Sequence, residues 1–326
     1  MKMYVKLSIL LLLIVIGLIA CSGKNNKEDD KSDSSNEATI PPKDLPDAFL
    51  AGDFEKIYNQ TSEGFQSQLT LKEFVQTTEA FHKDIRNYSL VSTMPLQGMS
   101  EYLWRNTKGN KGLRGIFAED HTIEGLQVMP LTSNKDTDNQ YTENTYQLPM
   151  EGEWLVFWGG TNELVNYHYA TVSQRYAYDL VIQQEGTTFK GDPTKNKNYH
   201  AFGKKAVAPF DGVIVSSENT ISDNTPTIDT NTEQPLGNHV VIEHENNEYS
   251  FIAHLQEGSL MVQEGDEVFS GEVVGLVGNS GNSSEPHIHY HVADNEELQE
   301  ATSIRIRLTQ DREPIRGDMT EGFNLE

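Results

Sequence analysis

The sequence contains almost no cysteine and comparatively little positive charge. Cys21 is the only cysteine among 326 residues, so a disulfide within one chain is excluded. Lysine and arginine number 25, against 49 aspartate and glutamate residues, and the formal net charge is −24. A chain of this charge repels the phosphates of nucleic acids, and we therefore expect no nucleic-acid partner.

The one long apolar run lies at the N-terminus, where Leu7–Ala20 follows two lysines and precedes Cys21. The run is too short for a comfortable membrane span and has the shape of a secretory signal. "LIAC" (Leu18–Cys21) resembles a bacterial lipobox, so residues 1–21 are predicted to be a lipoprotein signal peptide with lipidation at Cys21. The alternatives are a cleaved signal followed by an incidental cysteine, or an uncleaved anchor.

Residues 22–46 are charged and polar and lack a periodic apolar pattern. Such a segment cannot bury enough surface to fold and is predicted to be a flexible tether. Together with the lipobox, it implies a protein anchored to the cell membrane by lipid, facing the extracellular or cell-wall side.

Helical spacing of apolar residues begins in the next segment, for example at Leu71, Phe74, Val75 and Phe81. Thr70 and Glu73 form a capping-box signal, and the period shifts towards strands after Ile85. This order predicts a small α+β accessory domain at residues 47–134, similar to the NTF2-like domains found ahead of secreted enzymes. Its histidines, His82 and His121, are expected at the surface.

The second half of the chain is rich in short strand patterns separated by glycine turns. A polar linker is predicted at residues 135–145 and a mainly antiparallel β domain at residues 146–308. The charged tail, residues 309–326, is expected to be loosely ordered.

Three histidines alternate in "PHIHYHV" (Pro286–Val292): His287, His289 and His291. Alternate residues of a β-strand face the same side of a sheet, so the pattern places three imidazoles in one row. The row is either a polar sheet face or a metal or proton-transfer site. A functional site would require partner residues elsewhere in the chain.

The required partners lie in an ordered series of motifs: "YAYDL" (Tyr176–Leu180), "VAPFDGVIV" (Val207–Val215), "GNHVVIEH" (Gly237–His244), "IAHL" (Ile252–Leu255), "GDEVFSGEVVGLVGNSG" (Gly265–Gly281) and "PHIHYHV". In this order they resemble the lysostaphin/LytM-type zinc metallopeptidases that cut peptidoglycan peptides. The resemblance implies a LytM-like β-sandwich, one zinc ion per chain and a peptidoglycan substrate. The alternative of a biotinyl-like carrier domain is not favoured, because the chain has no lysine in a carrier motif and such a domain would not explain the histidines.

The resemblance also implies roles for individual residues. Asp179 and His289 would be metal ligands, whereas His254 and His287 would be catalytic histidines beside the attacking water. The family pattern gives His291 no role, so we expect a satisfied or exposed strand histidine. His244 is expected to make a supporting hydrogen bond.

The chain departs from the family pattern at the first ligand. In that pattern a histidine stands four residues before the aspartate, and here this position is Arg175, whose guanidinium cannot bind zinc. His168, in "VNYHYATVSQRYAYDL", is the preferred replacement ligand, since the chain can turn back within eleven residues. His200 and a site without metal are the alternatives.

Two functions of different classes follow from this pattern. The first is a zinc-dependent metalloendopeptidase, and the second is a catalytically inactive relative that binds the wall or activates another hydrolase. Degenerate relatives usually lose several site residues. This chain keeps Asp179, His254, His287 and His289, which favours the enzyme.

Overall fold

The computed structural model describes residues 39–310 and 312–325. The predicted signal peptide, the lipidation site Cys21 and most of the predicted tether lie outside the described residues. Over the part of the chain that is described, no helix combines the length and the apolar character needed to cross a bilayer.

Four helices precede a four-stranded antiparallel sheet. The helices are α1 (Leu45–Ala51), α2 (Phe54–Asn59), α3 (Glu63–Gln66) and α4 (Leu71–His82), and the strands are β1 (Tyr88–Leu96), β2 (Met99–Asn106), β3 (Lys111–Phe117) and β4 (Ile123–Pro130), in the order β1-β2-β3-β4. Helix α4 begins with the predicted capping box of Thr70 and Glu73. Apolar side chains from both layers, including Phe49, Trp104 and Phe117, form one core. The predicted α+β character is therefore confirmed.

The remaining strands are β5 (Glu153–Trp158), β6 (Tyr178–Val181), β7 (Lys205–Val207), β8 (Gly212–Glu218), β9 (Asn238–His244), β10 (Glu248–Leu255), β11 (Glu267–Val268), β12 (Val273–Leu276), β13 (Ile288–Ala293), β14 (Ser303–Ile304) and β15 (Met319–Glu321). Nine of them form one sheet in the order β11-β8-β9-β10-β13-β6-β5-β15, with β14 paired to β13, and β12 pairs with β7. Every named pair is antiparallel. This confirms the predicted mainly antiparallel β domain.

The alternation along β13 and β6 separates a core face from a polar face. Ile288, Tyr290 and Val292 of β13 belong to the main apolar core, as do Tyr178 and Leu180 of β6. Because successive side chains point to opposite faces, the histidines of β13 and the aspartate between the two β6 core residues share the other face. The large sheet thus carries its polar row directly behind its core.

The accessory part and the large sheet are joined by buried contacts. Apolar clusters combine side chains of both, such as Ile116 with Leu155 and Leu103 with Leu164. Between them lies the Glu101 cluster, which we define as Glu101, Arg114 and Arg316. Arg316 donates from Nε and Nη2 to the two carboxylate oxygens of Glu101, at 2.7 and 3.1 Å, and Arg114 Nε lies 3.3 Å from Oε1.

The structure corrects two expectations about flexible segments, the tether and the tail, and shows how the predicted linker packs. The described end of the predicted tether is already folded, since Ile40 and Leu45 are buried in the accessory core. The predicted linker packs against the large sheet, where Asn144 donates to Glu248 at 2.9 Å. The described part of the charged tail is ordered, because β15 pairs with β5 and Arg316 is buried with Glu101.

His82 is also not a surface residue. The residue is 5% exposed, and its ring stacks on Phe49 with centroids 4.5 Å apart. Its Nδ1 lies 2.7 Å from the carbonyl oxygen of Thr78, one helical turn earlier. The side chain therefore serves as a hydrogen-bonded aromatic core residue.

Candidate metal centre

The register of β6 and β13 brings Asp179 and His289 together. The two residues are directly opposite each other in the antiparallel pair, and both side chains lie on the polar face. His289 Nδ1 is 2.9 Å from Asp179 Oδ1, and both residues are buried. Residues that are 110 positions apart in sequence therefore meet because of strand pairing alone.

Asn166 places His168 beside the same carboxylate. The buried amide accepts from the backbone N–H of His168 at 3.1 Å and donates to the carbonyl oxygens of Gly160 and Ala177, both at 3.1 Å. These bonds tie the short 3-10 helix Tyr167–Ala170 to the start of β6. His168 Nε2 consequently lies 3.0 and 3.1 Å from the two carboxylate oxygens of Asp179.

The three residues form a group suited to a metal ion. Ligand atoms of His168, Asp179 and His289 all lie within 4.8 Å of one another, and all three residues are buried. This is the one such group found among residues 39–310 and 312–325. Two imidazoles and one carboxylate are the donor set of hydrolytic zinc sites, which leaves a position for water.

Neither Arg175 nor the alternative ligand His200 enters this group. The Arg175 guanidinium lies over the ring of Tyr169, 5.5 Å from its centroid. The His200 backbone N–H donates to the carbonyl oxygen of Thr188, and His200 is absent from the group of ligand atoms. Of the residues weighed for this position, the structure brings only His168 to Asp179.

His287 and His254 stand beside the group and have a defined tautomer. Each Nδ1 faces a backbone carbonyl oxygen at 2.8 Å, from Glu285 for His287 and from Ser280 for His254. Because a carbonyl oxygen can only accept, both Nδ1 atoms carry a proton, and in the neutral rings both Nε2 atoms are acceptors. His287 Nε2 is buried without a hydrogen-bond partner and lies 3.6 Å from Asp179 Oδ1.

A backbone irregularity aims His254 at the site. The residue has a φ of +63°, in the left-handed region that side chains with a Cβ rarely adopt, and the pairing of β10 with β9 shifts between Ile252 and Leu255. Such backbone strain typically occurs at functional sites. The His254 ring lies 4.8 Å from that of His287 and 5.6 Å from that of His289, measured between centroids.

The predicted roles of two further histidines have different outcomes. His291 is not exposed: it is completely buried, and its Nδ1 lies 3.0 Å from His289 Nε2. It is also not satisfied, since its Nε2 has no hydrogen-bond partner. His244 does make supporting hydrogen bonds, at 2.8 Å to the hydroxyl of Ser250 and to the backbone oxygen of Asp211.

The electrostatics favour an ionised Asp179 and a neutral His289. Burial alone would raise the pKa of Asp179, but His168 and His287 outweigh it and hold that pKa well below its usual range. Burial lowers the pKa of His289 to about 4 and lowers that of His254 well below its usual value. Burial opposes protonation of His287 too, but the Asp179 carboxylate prevails and raises that pKa. The cluster therefore combines an ionised carboxylate with a neutral imidazole at His289.

A cavity of about 310 Å³ opens onto this group. Asp179 and His287 form part of its lining, and Phe157, Trp158 and Tyr167 supply an aromatic wall. The remaining lining residues are polar or apolar side chains that carry no positive charge: Val181, Thr230, Asn282, Ser284 and Glu285. A substrate in this cavity would lie against Asp179 and His287, with the Nε2 of His287 buried in the wall.

Some site residues were not predicted from the sequence. Asn166, Ser280 and Glu285 each fix a histidine through a hydrogen bond, and none was singled out. Asn166 stands two residues before His168, a spacing suited to a side chain that caps a short helix, and this was an available signal. The carbonyl groups of Ser280 and Glu285 carry no side-chain signature.

Comparison with known proteins shows that part of the β domain matches a known peptidase family. Residues 198–301 match the model of Peptidase family M23. The matched segment includes His254, His287 and His289, whereas His168 and Asp179 precede it and are brought to it by the fold. The chain therefore contains a peptidase M23 domain, which confirms the predicted resemblance to lysostaphin/LytM-type peptidases.

Individual relatives are similar over part of the chain. The peptidoglycan DD-endopeptidase ShyA of Vibrio cholerae is 32% identical over 92 residues, which are 27% of this chain and 21% of that relative. The catalytic domain of lysostaphin from Staphylococcus simulans is 17% identical, covers 52% of this chain and 93% of its own, and gives a TM-score of 0.27. Pseudoalterin, an M23 metalloprotease from the deep sea, is 16% identical, covers 51% and 80%, and gives a TM-score of 0.30.

Proposed function

We propose that this chain is a zinc-dependent endopeptidase that hydrolyses peptide bonds of peptidoglycan. The observation that carries the proposal is the convergence of His168, Asp179 and His289 at a cavity that also presents His287. The M23 match supports peptide hydrolysis, and the Vibrio cholerae relative supports peptidoglycan as the substrate. One zinc ion per chain fits the donor set.

The chain's own residues supply binding, orientation and proton transfer. When bound, zinc lowers the pKa of a coordinated water to near 7 and polarises the scissile carbonyl group. His287 Nε2 is an acceptor with a raised pKa, so it takes up the proton that water loses and can return it to the leaving amine. His254 Nε2, fixed as an acceptor by Ser280, holds the second water proton and so orients the attack.

Removal of individual donors tests this function. We expect Asp179→Ala and His289→Ala each to abolish both zinc content and wall digestion, because each removes one of three donors. His287→Ala should keep the metal and lose turnover, since it removes the base alone. Metal analysis of the purified soluble part, beside release of soluble wall fragments with and without a chelator, measures both quantities.

His200→Ala is the matched control for these variants. It removes a histidine of the same domain that lies outside the group of ligand atoms, and we expect unchanged zinc content and digestion. Zinc binding by the wild type without digestion of any wall preparation would support the inactive alternative, a wall-binding or activating module. Full activity in the metal-free protein would contradict the zinc mechanism.

The location of the protein is a second part of the proposal. The predicted signal and the lipobox at Cys21 would place the peptidase outside the membrane, tethered by lipid, where peptidoglycan is found. Cys21→Ala should shift the protein from the membrane fraction to the medium or block its maturation. Unchanged membrane association, with no incorporation of labelled fatty acid in the wild type, would contradict lipidation.

A further inference from the structure

His291 is the third imidazole of the row on β13, and the proposed mechanism does not use it. It is fully buried, and its ring stacks on that of Phe251, its cross-strand partner on β10, with centroids 4.4 Å apart and an interplanar angle of 8°. This stacking fixes the plane of the imidazole. Its Nδ1 lies 3.0 Å from His289 Nε2, and its Nε2 is buried without a partner.

The contact with His289 links the tautomers of the two rings. His289 Nδ1 is the atom that faces Asp179, at 2.9 Å. To offer that atom's lone pair to a cation, a neutral His289 must carry its proton on Nε2. The acceptor for this proton is His291 Nδ1, so the proton of His291 must then lie on Nε2, the buried atom that has no partner.

Without a cation, the two rings can adopt the opposite pair of tautomers. The proton on His289 Nδ1 then goes to the Asp179 carboxylate, and His289 Nε2 accepts from Nδ1–H of His291. An imidazole at position 291 can act as the acceptor in one arrangement and as the donor in the other. In both arrangements His291 engages His289 through Nδ1, while its own Nε2 stays buried without a partner.

We propose that His291 is a positioning residue that holds the Nε2–H of His289 and thereby directs the His289 Nδ1 lone pair into the His168–Asp179–His289 group. The inference rests on the proposed function, because it concerns the metal centre of the same site. A partner that fixes the free nitrogen of a ligating histidine sets both its ring orientation and its tautomer, and loss of such a partner typically weakens metal binding about 10–100-fold.

Two variants separate positioning from structural support. His291→Phe keeps an aromatic ring for the stack on Phe251 and removes the acceptor, whereas His291→Asn introduces an amide whose oxygen can take the place of the imidazole Nδ1 as the acceptor. We expect the Zn²⁺ dissociation constant, measured by competition with a chromogenic chelator, to rise about 10–100-fold for His291→Phe and to return towards the wild-type value for His291→Asn. Thermal unfolding of the metal-free proteins reports any purely structural effect.

A second measurement does not depend on the stability of a variant. In the zinc-loaded wild type, long-range ¹H–¹⁵N spectra of the histidine rings should show the proton of His289 on Nε2 and that of His291 on Nε2 as well. Equal zinc affinity of wild type and His291→Phe, or a His291 proton on Nδ1 in the loaded protein, would overturn this inference alone. Failure of the wild type to bind zinc would overturn the proposed function together with it.

Discussion

Replacing Glu101 with glutamine would leave two buried guanidinium groups without their shared carboxylate. Glu101 is 1% and Arg316 2% exposed, and the Arg316 guanidinium also lies 3.8 Å from the centroid of the Trp158 ring. Arg114 donates to the carbonyl oxygen of Leu164 at 3.1 Å, and burial together with the nearby Arg316 lowers its pKa to about 10 although Glu101 opposes this. The carboxylate therefore neutralises a site at which water is largely excluded.

The size of the effect follows from this burial. Removing one partner of a buried ion pair costs about 3–5 kcal/mol, because the remaining charge is left without compensation. We expect Glu101→Gln to lower the free energy of unfolding by this amount, which is a large fraction of the stability of about 5–15 kcal/mol that is typical of folded domains. The glutamine keeps the shape and one acceptor oxygen, so the loss reports the charge rather than a cavity.

Urea unfolding followed by tryptophan fluorescence measures this loss, since Trp158 contacts the cluster directly. Glu124→Gln is the matched control: it changes an exposed glutamate on β4, and we expect at most about 0.5 kcal/mol. Combining Glu101→Gln with Arg316→Met should destabilise less than the sum of the single changes, because one unpaired charge is removed. A loss equal to that of the control, or strict additivity, would refute the reasoning.

Three further predictions concern the site and the sheet. His168→Ala should weaken zinc binding by about 100-fold or more, since one of few ligands is lost. Arg175→Ala should leave zinc binding, measured by titration against a chelator, unchanged. The reverse result would contradict the assignment of His168 as a ligand. Asn166→Ala should lower the free energy of unfolding by about 2–4 kcal/mol and also weaken zinc binding, because the buried amide bonds are lost with it. Burial lowers the pKa of His244 to about 4, so between pH 6.5 and 4 the unfolded state binds a proton that the folded state does not. Stability should therefore fall by up to about 3 kcal/mol as the pH drops through this range. Urea titrations at several pH values should show a shallower slope for His244→Gln, and an unchanged slope would contradict the assignment.

The polar row of the site was predictable because it depends on local periodicity. The alternation in "PHIHYHV" places His287, His289 and His291 on one face whatever the strand pairs with. The capping box of Thr70 and Glu73 is equally local and marks the start of α4 in the structure. Such signals depend on neighbours within a few residues, which a single sequence contains.

The remaining features depend on contacts that a single sequence does not encode locally. His168 reaches Asp179 because the Asn166 amide joins two chain segments. Glu101 and Arg316 are 215 residues apart, and a charged residue in a charged segment is expected at the surface until its partner is known. The tail was therefore predicted to be loose, although Arg316 is among the most buried polar residues described.

The pairing of Asp179 with His289 across two neighbouring strands has a consequence for assembly. Sliding β6 against β13 by one position would turn one of the two side chains to the opposite side of the sheet. A cation that requires both side chains can bind only the properly aligned form, and by mass action it would enrich that form over misaligned ones. The proposed zinc ion would thus also favour the correct alignment of β6 and β13 while the protein folds.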